Sequence, residues 1–391
     1  MNFMLRVINY ITKRIMTFFQ YISKQYYIYR KIGKINKRLN RPGVNGQIED
    51  YKKKWSQLSK FVMTKYYKVY SELSGKEDIN YVPENIFYTH IEPILNEKRI
   101  WQAYVDKNMY DSYPFCDSDL FPDVVLRNIH GAFYDSDYKP VNIRNEKTFQ
   151  NILENYKNKK ILIKPSIFSH GGRKIKLFRK EEDSVYRNKD GNVLNLAWLD
   201  EYYSKNYVLQ EYIEQHPFYN RFNPSSINTV RVVTYRSVST EKIAILHTVM
   251  RVGGRDNIVD NASAGGMGCG IDSSGILNDF ALDYEYNKQY STPSGVKFKN
   301  VGKMYRIDEM KEIAKKIARN LYYQRIVCTD FCVDKDDNIR IIEINNNDTE
   351  INGMQMNNGA FFGEYTDEVI EYCKSKKGKV KNFSTIERYW R

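Results

Sequence analysis

A chain of 391 residues with 42% hydrophobic and 28% charged side chains has ample material for a core, which excludes disorder and implies two or three packed domains. The net charge of +14 would suit a nucleic-acid protein, yet it sits at the ends: residues 1–40 hold nine Lys or Arg and no Asp or Glu, and residues 374–391 hold seven against Glu387. The body between them is close to neutral, so no basic channel for phosphate backbones is expected and nucleic acid is excluded as a partner.

In chain order, Ile8, Ile11, Ile15, Phe18, Phe19 and Ile22 gather on one side at 100° per residue, with Arg6, Lys13 and Lys24 opposite. This basic amphipathic helix is suited either to the headgroup layer of an anionic membrane or to packing on the body. Arg41 to Gly46 form a break, and Trp55, Leu58, Phe61, Val62, Tyr66 and Val69 then mark a second helical pattern, completing a helical, basic amino-terminal region over 1–79. Residues 80–155 alternate short apolar runs with prolines and read as a small α/β region. From 156 to 215 a strand at Ile161–Ile163 leads through Lys164 and a Gly-rich loop to a second strand, and Tyr207–Ile213 is a further strand. Residues 216–373 contain strands at Thr229–Tyr235 and Ile243–Val249, a helix over Asp308–Tyr323 capped by Asp308, and a final hairpin; 374–391 form a basic tail.

The five cysteines (Cys116, Cys269, Cys328, Cys332, Cys373) show no CxxC pairing, and a reduced, cytoplasmic setting is expected. The first apolar stretch is interrupted by Arg6, Lys13 and Arg14, so no secretory signal is expected, and no run reaches the ~18 apolar residues of a membrane span.

The hairpin Ile326–Asn345 carries the most chemistry. If Asp336 and Asp337 form a two-residue loop, Asp330 lies opposite Glu343 and Asn345 points to the same face. Facing carboxylates repel unless compensated, and a divalent cation held by hard oxygen ligands is the natural compensation, with Mg²⁺ first. Lys164 precedes Ser169, His170, Gly171 and Gly172, a loop of small residues whose amides can approach an anion; the spacing of a Walker A loop is absent. Gln210, Glu211 and Ile213 end a strand and can present backbone groups to a purine. Arg231 and Arg251 can bind phosphate or carboxylate bidentately, or make an ordinary structural salt bridge.

Taken in this order, the pieces resemble the ATP-grasp superfamily over about residues 100–370. Asp106 and Lys107 resemble the Asp-Lys whose lysine contacts phosphate; Lys164 and its loop, the second phosphate lysine and mobile lid; Gln210, Glu211 and Ile213, the adenine hinge. Arg231 resembles the arginine facing phosphate or substrate, and Asp330, Glu343 and Asn345 the magnesium trio. The run Asn223 to Arg231 and Ala262 to Gly266 are similar to the sugar-transfer-associated branch, found with bacterial surface-polysaccharide genes. The resemblance implies an α+β fold with two lobes clasping the nucleotide behind a helical amino-terminal region, and ATP with two Mg²⁺, or Mn²⁺ in their place, as cofactors. It implies a carboxylate-amine ligase acting through an acylphosphate, with a kinase and a non-catalytic nucleotide-binding scaffold as alternatives. Carboxylate and amine substrates, a lipid-linked or nucleotide-linked glycan, and peripheral membrane contact through residues 1–40 are the partners expected, in capsule or O-antigen assembly. Two departures stand out. Asn346, Asn347, Asp348 and Thr349 replace the usual Pro-Gly turn at the acceptor pocket, and the ribose carboxylate has only Glu214 as a candidate.

Overall fold

The computed structural model describes residues 12, 19, 23, 26, 29–39, 46–96, 105–113, 117–167, 172, 174–254, 265–346 and 349–376. Ser169, His170 and Gly171 lie outside them, as do most of the first amphipathic stretch, residues 255–264, Asn347, Asp348 and the tail beyond 376.

Thirteen strands form two antiparallel sheets among the described residues. The first takes β1 (Val124–Ile129), β2 (Ala132–Tyr134), β3 (Lys160–Pro165), β4 (Lys176–Lys180), β5 (Tyr186–Asn188) and β6 (Tyr207–Glu211) in the order β2-β1-β6-β3-β4-β5. The second takes β7 (Thr229–Arg236), β8 (Ile243–Val252), β9 (Met267–Ile271), β10 (Leu277–Asp283), β11 (Lys288–Gln289), β12 (Ile326–Val333) and β13 (Ile339–Asn345) in the order β11-β10-β9-β8-β7-β12-β13. Because β1 pairs with β6 and carries β2 on its other side, the stretches 80–155 and 156–215 build one sheet together, and the seam expected near 155 runs through it.

Alternation decides which side chains go where. Ile161, Ile163, Tyr207 and Leu209 pack under the helices Glu146–Asn155 and Leu196–Tyr202, leaving Lys164 and Gln210 on the opposite face. In the second sheet Val230, Val232, Val327 and Phe331 join the core beside the helix Ile307–Asn320, while Val233, Tyr235 and Cys328 join a second core with the helices Ile48–Ser56, Lys65–Ser74, Ile351–Asn358 and Thr366–Lys376. Every residue of β12 is therefore buried, and Arg231 and Asp330 share the face of that second core.

The helix expected over Asp308–Tyr323 runs Ile307–Asn320. Arg306, in the left-handed region at φ 55°, starts it, and Asp308 sits in the first turn paired with Lys303 at 2.7 Å rather than capping. Its carboxylate still complements the positive end of the helix. Tyr322 and Tyr323 lie beyond its end and are exposed.

Candidate active site between the two sheets

The hairpin β12–β13 reaches the expected pairing by an unexpected route. Its connection is three residues, Lys335–Asp337: Asp334 and Asn338 close the ladder (N–H of Asp334 to the Asn338 carbonyl, 2.9 Å), and Asp337 takes a left-handed φ of 68°. Asp334 organises the turn by accepting from the Asp336 and Asn338 amides and from Arg340. A three-residue loop puts Val333 opposite Ile339, one step off the expected register. A bulge between Asp330 and Phe331 adds Ile342 to β13 and restores it, so Asp330 does face Glu343, and Cys328 faces Asn345. The carbonyl of Ile342 accepts from Lys164 Nζ across the gap between the sheets at 3.3 Å.

The two facing carboxylates are compensated by basic side chains. Asp330, 1% exposed, accepts bidentately from Arg231 (both bonds 2.7 Å) and from Arg251 Nη1 at 2.9 Å. Both arginines thus adopt the salt-bridged alternative, on the metal-type aspartate itself. Glu343 pairs with Lys107 Nζ at 2.8 Å. Burial alone would raise the Glu343 carboxyl, but Lys107, with help from Arg231 and Asn345, holds it down to about 2. Lys164 shows the opposite balance: burial, then repulsion from Lys107, pull its ammonium down to about 7 against the attraction of Glu343.

Lys107, Tyr110, Val124, Lys164, Gln210 and Ile342 line a narrow cleft between the sheets, whose enclosed space is about 10 Å³. The lysine pair and the hinge glutamine are therefore brought to the edge of the strand that carries Glu343 and Asn345. Gln210 and Ile213 are buried. The Glu211 carboxylate accepts from the Asp123 amide at 3.0 Å, its own amide donates to the Asp123 carbonyl at 2.9 Å, and burial raises its pKa. Gly172 takes a left-handed φ of 68° in the loop after β3. Glu214 binds Lys160 at 2.9 Å and Lys335 at 3.1 Å, tying the first sheet to the hairpin of the second, which leaves its carboxylate engaged away from a ribose role.

Asp330, Glu343 and Asn345 supply only oxygen donors from the side chains a hard cation prefers, and they lie on two adjacent strands at one register position or the next. Among the described residues no group of three His, Cys, Asp or Glu gathers, so the softer, closed kind of metal site has no counterpart there. The donor set fits Mg²⁺ sharing its shell with phosphate oxygens. Four basic side chains around two carboxylates leave a positive excess suited to an anionic ligand.

Four supporting residues carry no motif. Tyr110, fully buried, both accepts from the Ile344 amide (3.0 Å) and donates to its carbonyl (3.2 Å), occupying the open edge of β13 between Glu343 and Asn345. Asn96 accepts from the amides of Arg325 (2.8 Å) and Ile326 (2.9 Å) and donates to the carbonyls of Ile326 and Asn346. Glu92 accepts from the Thr349 amide at 2.9 Å, so both ends of the segment after Asn345 are held from the amino-terminal helices. Arg127, 0% exposed, donates to the Asn108 carbonyl at 2.6 Å and pairs with Asp111, which steadies the turn carrying Lys107. Only the nearness of Tyr110 and Asp111 to Lys107 in sequence could have pointed to any of them.

A family model described as sugar-transfer associated ATP-grasp matches residues 90–369. The chain belongs to this family. No curated protein matches it. Among solved structures, this ATP-grasp chain is similar to biotin carboxylase from Campylobacter jejuni, in a complex with β,γ-ATP (12% identity, 69% of this chain and 46% of that one, TM-score 0.39). It is also similar to the biotin carboxylase domain of Hydrogenobacter thermophilus 2-oxoglutarate carboxylase (15%, 68% and 45%, TM-score 0.38) and to N5-carboxyaminoimidazole synthetase from Staphylococcus aureus (9%, 64% and 48%, TM-score 0.33). The chain spans less than half the length of each. Residues 1–89 lie outside the family match, yet those described from 46 onward share a core with its carboxy-terminal helices.

Proposed function

We propose that this ATP-grasp protein is an ATP-dependent carboxylate-amine ligase that binds its nucleotide in the cleft between the sheets. The observation that carries the reading is the convergence of Lys107, Lys164 and Gln210 on the strand edge bearing Glu343 and Asn345, with Asp330 facing Glu343.

In this reading the backbone from Gln210 to Ile213 holds adenine, Lys107 and Lys164 hold phosphate oxygens, and the amides of the loop from Ser169 through His170 and Gly171 to Gly172 close over them. Asp330 and Glu343 would hold one Mg²⁺, and Glu343 with Asn345 the other, with Mn²⁺ as a substitute. Bound there, the ions supply charge neutralisation at the transferring phosphoryl oxygens. A substrate carboxylate oxygen attacks the γ-phosphorus and ADP leaves. An amine then attacks the acyl carbon, the acyl carbon–phosphate oxygen bond breaks, and an amide, inorganic phosphate and a proton result. Arg231 and Arg251, already arranged around one buried carboxylate, are of the right type to hold the carboxylate or acylphosphate of the substrate when Asp330 turns to metal.

The family description, sugar-transfer associated, supports a glycan-borne acceptor, lipid-linked or nucleotide-linked. A uronic or amino acid is then the carboxylate substrate, and capsule or O-antigen assembly the setting. That step is family analogy.

Thermal-shift titration tests the site. ATP with Mg²⁺ should raise the melting temperature of the native chain, by linkage worth about 2.7 kcal/mol at a hundredfold excess over Kd; Glu343→Ala and Lys164→Ala should lose most of it. A screen of uronic and amino acids for ADP release, with and without amine, tests the reaction. A stable phosphorylated product formed without any amine would replace the ligase by a kinase, and the absence of any nucleotide response would leave a scaffold.

A further inference from the structure

We infer that Lys107 is the internal counter-ion of Glu343, closing that carboxylate to a free divalent cation until a polyphosphate draws the ammonium away. The inference rests on the nucleotide reading above and adds an order to it: the cation enters with the phosphates or after them, and not alone.

The two facing carboxylates are held differently. Asp330 accepts three hydrogen bonds from Arg231 and Arg251, and its side chain is 2% exposed. Glu343 is paired with Lys107 Nζ at 2.8 Å, and its side chain is 25% exposed. Glu343 is therefore the carboxylate that a cation from solvent meets first, and its ion pair is made by one ammonium on a flexible stem.

Charge decides what can displace that ammonium. Around Asp330 and Glu343 stand Arg231, Arg251, Lys107 and Lys164, two acidic groups against four basic ones. Even with Lys164 counted as neutral the cluster is positive, so a bare dication is repelled and a triphosphate attracted. Once the triphosphate is in place the sign reverses. Lys107 then has phosphate oxygens to pair with, and Glu343 is released as a hard oxygen ligand. By linkage the cation tightens the polyphosphate by the same factor as the polyphosphate tightens the cation.

The exchange falls to the Lys107 side chain because its turn is clamped from both sheets. The Lys107 amide donates to the Ser166 carbonyl at 2.9 Å, just after β3, and the Asn108 side chain to the Asn128 carbonyl of β1 at 2.9 Å. Asp106 closes the turn by accepting from the Asn108 amide at 3.0 Å, and the Tyr110 hydroxyl holds the amide and the carbonyl of Ile344, next to Glu343. The ammonium thus stays within reach of both the carboxylate and the cleft. Lys164, in the same cleft, donates to the Ile342 carbonyl, so it adds to the positive field without covering a carboxylate oxygen.

The test is Mn²⁺ binding to the full chain without nucleotide, followed by electron paramagnetic resonance. Lys107→Met should bind Mn²⁺ about tenfold or more tightly than the native chain, Lys107→Arg should stay close to native, and Lys164→Met should gain no more than about threefold. Adding Glu343→Gln to Lys107→Met should remove the gain. Equal gains from Lys107→Met and Lys164→Met, or no gain from Lys107→Met, overturn the inference. Thermal shift of the native chain decides independently of how the variants fold: Mn²⁺ alone should leave the melting temperature unchanged at concentrations at which Mn²⁺ with ATP raises it. Stabilisation by Mn²⁺ alone, as large as that with ATP, overturns the inference and leaves the nucleotide site standing. A chain that responds to neither overturns the nucleotide reading and this inference with it.

Discussion

In the seven-stranded sheet the carboxylate of Asp330 is fixed by three hydrogen bonds from two arginines, on a strand buried along its whole length. In the six-stranded sheet Lys164 is as deeply buried but donates to a carbonyl of the other sheet, and its ammonium is held at about 7. One sheet has its charges balanced internally. The other holds a cation whose proton is loosened by burial and by Lys107, so an anion arriving in the cleft would restore it. The fold therefore separates a pre-paired half that fixes geometry from a poised half that gains most from a phosphate.

Removing charge from each half should break the molecule in different ways. Asp330→Ala leaves Arg231 and Arg251 beside a buried void of negative charge, and should cost about 3–5 kcal/mol in urea unfolding as well as the Mg²⁺-dependent response to ATP. Lys164→Met keeps the volume and removes a desolvated ammonium, so its unfolding free energy at pH 7 should stay within about 1 kcal/mol of native or rise, while the ATP response disappears. Equal destabilisation of the two variants would erase the contrast.

Acid and alkali should separate the halves again. His247 of β8, 3% exposed and bonded through Nε2 to the Phe361 carbonyl at 3.0 Å, is pulled down to about 4, chiefly by burial. The unfolded chain binds that proton first as pH falls, so stability fully present above about 6.5 is lost on the way to 4, by at most about 3 kcal/mol. His247→Phe should flatten that limb. The same sign holds for Lys164 between its ordinary value near 10.5 and about 7, and Lys164→Met should flatten the alkaline rise instead. A urea midpoint measured against pH for both variants checks the assignment of each limb.

Asn96→Ala tests how far the geometry of the strand edge bearing Glu343 and Asn345 is set from outside the family region's centre. It strands the Ile326 amide, at about 1–3 kcal/mol, leaves the Arg325 amide only its 3.3 Å bond to the Leu95 carbonyl, and removes the Asn96 bond to the Asn346 carbonyl next to Asn345. Mn²⁺ titration followed by electron paramagnetic resonance should show affinity lowered several-fold, whereas a purely structural role would lower the melting temperature and leave the titration unchanged.

What could be read in the sequence, and what could not, follows the range of the interactions. The strands of the final hairpin were legible because Ile326–Val333 is a mostly apolar, β-rich run and Ile recurs through Ile339–Asn345, with a polar turn between them. The facing of Asp330 and Glu343 emerged from a two-residue loop that the chain does not use; a longer turn and a bulge cancel, and the bulge residue meets Lys164, 178 positions away. For Arg231 and Arg251 the sequence offered either an anionic ligand or an ordinary salt bridge, and it cannot say that Asp330 is the partner that wins. The docking of Val82 on Gln355 and of Tyr70 on Asn352, across more than 270 residues, leaves no periodic trace at all.

The smallest expected effect is at the tie between the sheets. Glu214 is half exposed, and its bonds to Lys160 and Lys335 are solvent-screened, so Glu214→Gln should change stability by less than about 1 kcal/mol. Its consequence is relative motion: the Lys335 amide still donates to the Glu214 carbonyl at 2.7 Å, so the variant loosens the tie without cutting it. If the sheets must part for nucleotide to enter so narrow a cleft, the variant should bind ATP faster and release it faster, at nearly constant affinity. Stopped-flow binding measures both rates. Unchanged rates with unchanged stability would mean that the cleft admits nucleotide without the sheets moving apart at this edge.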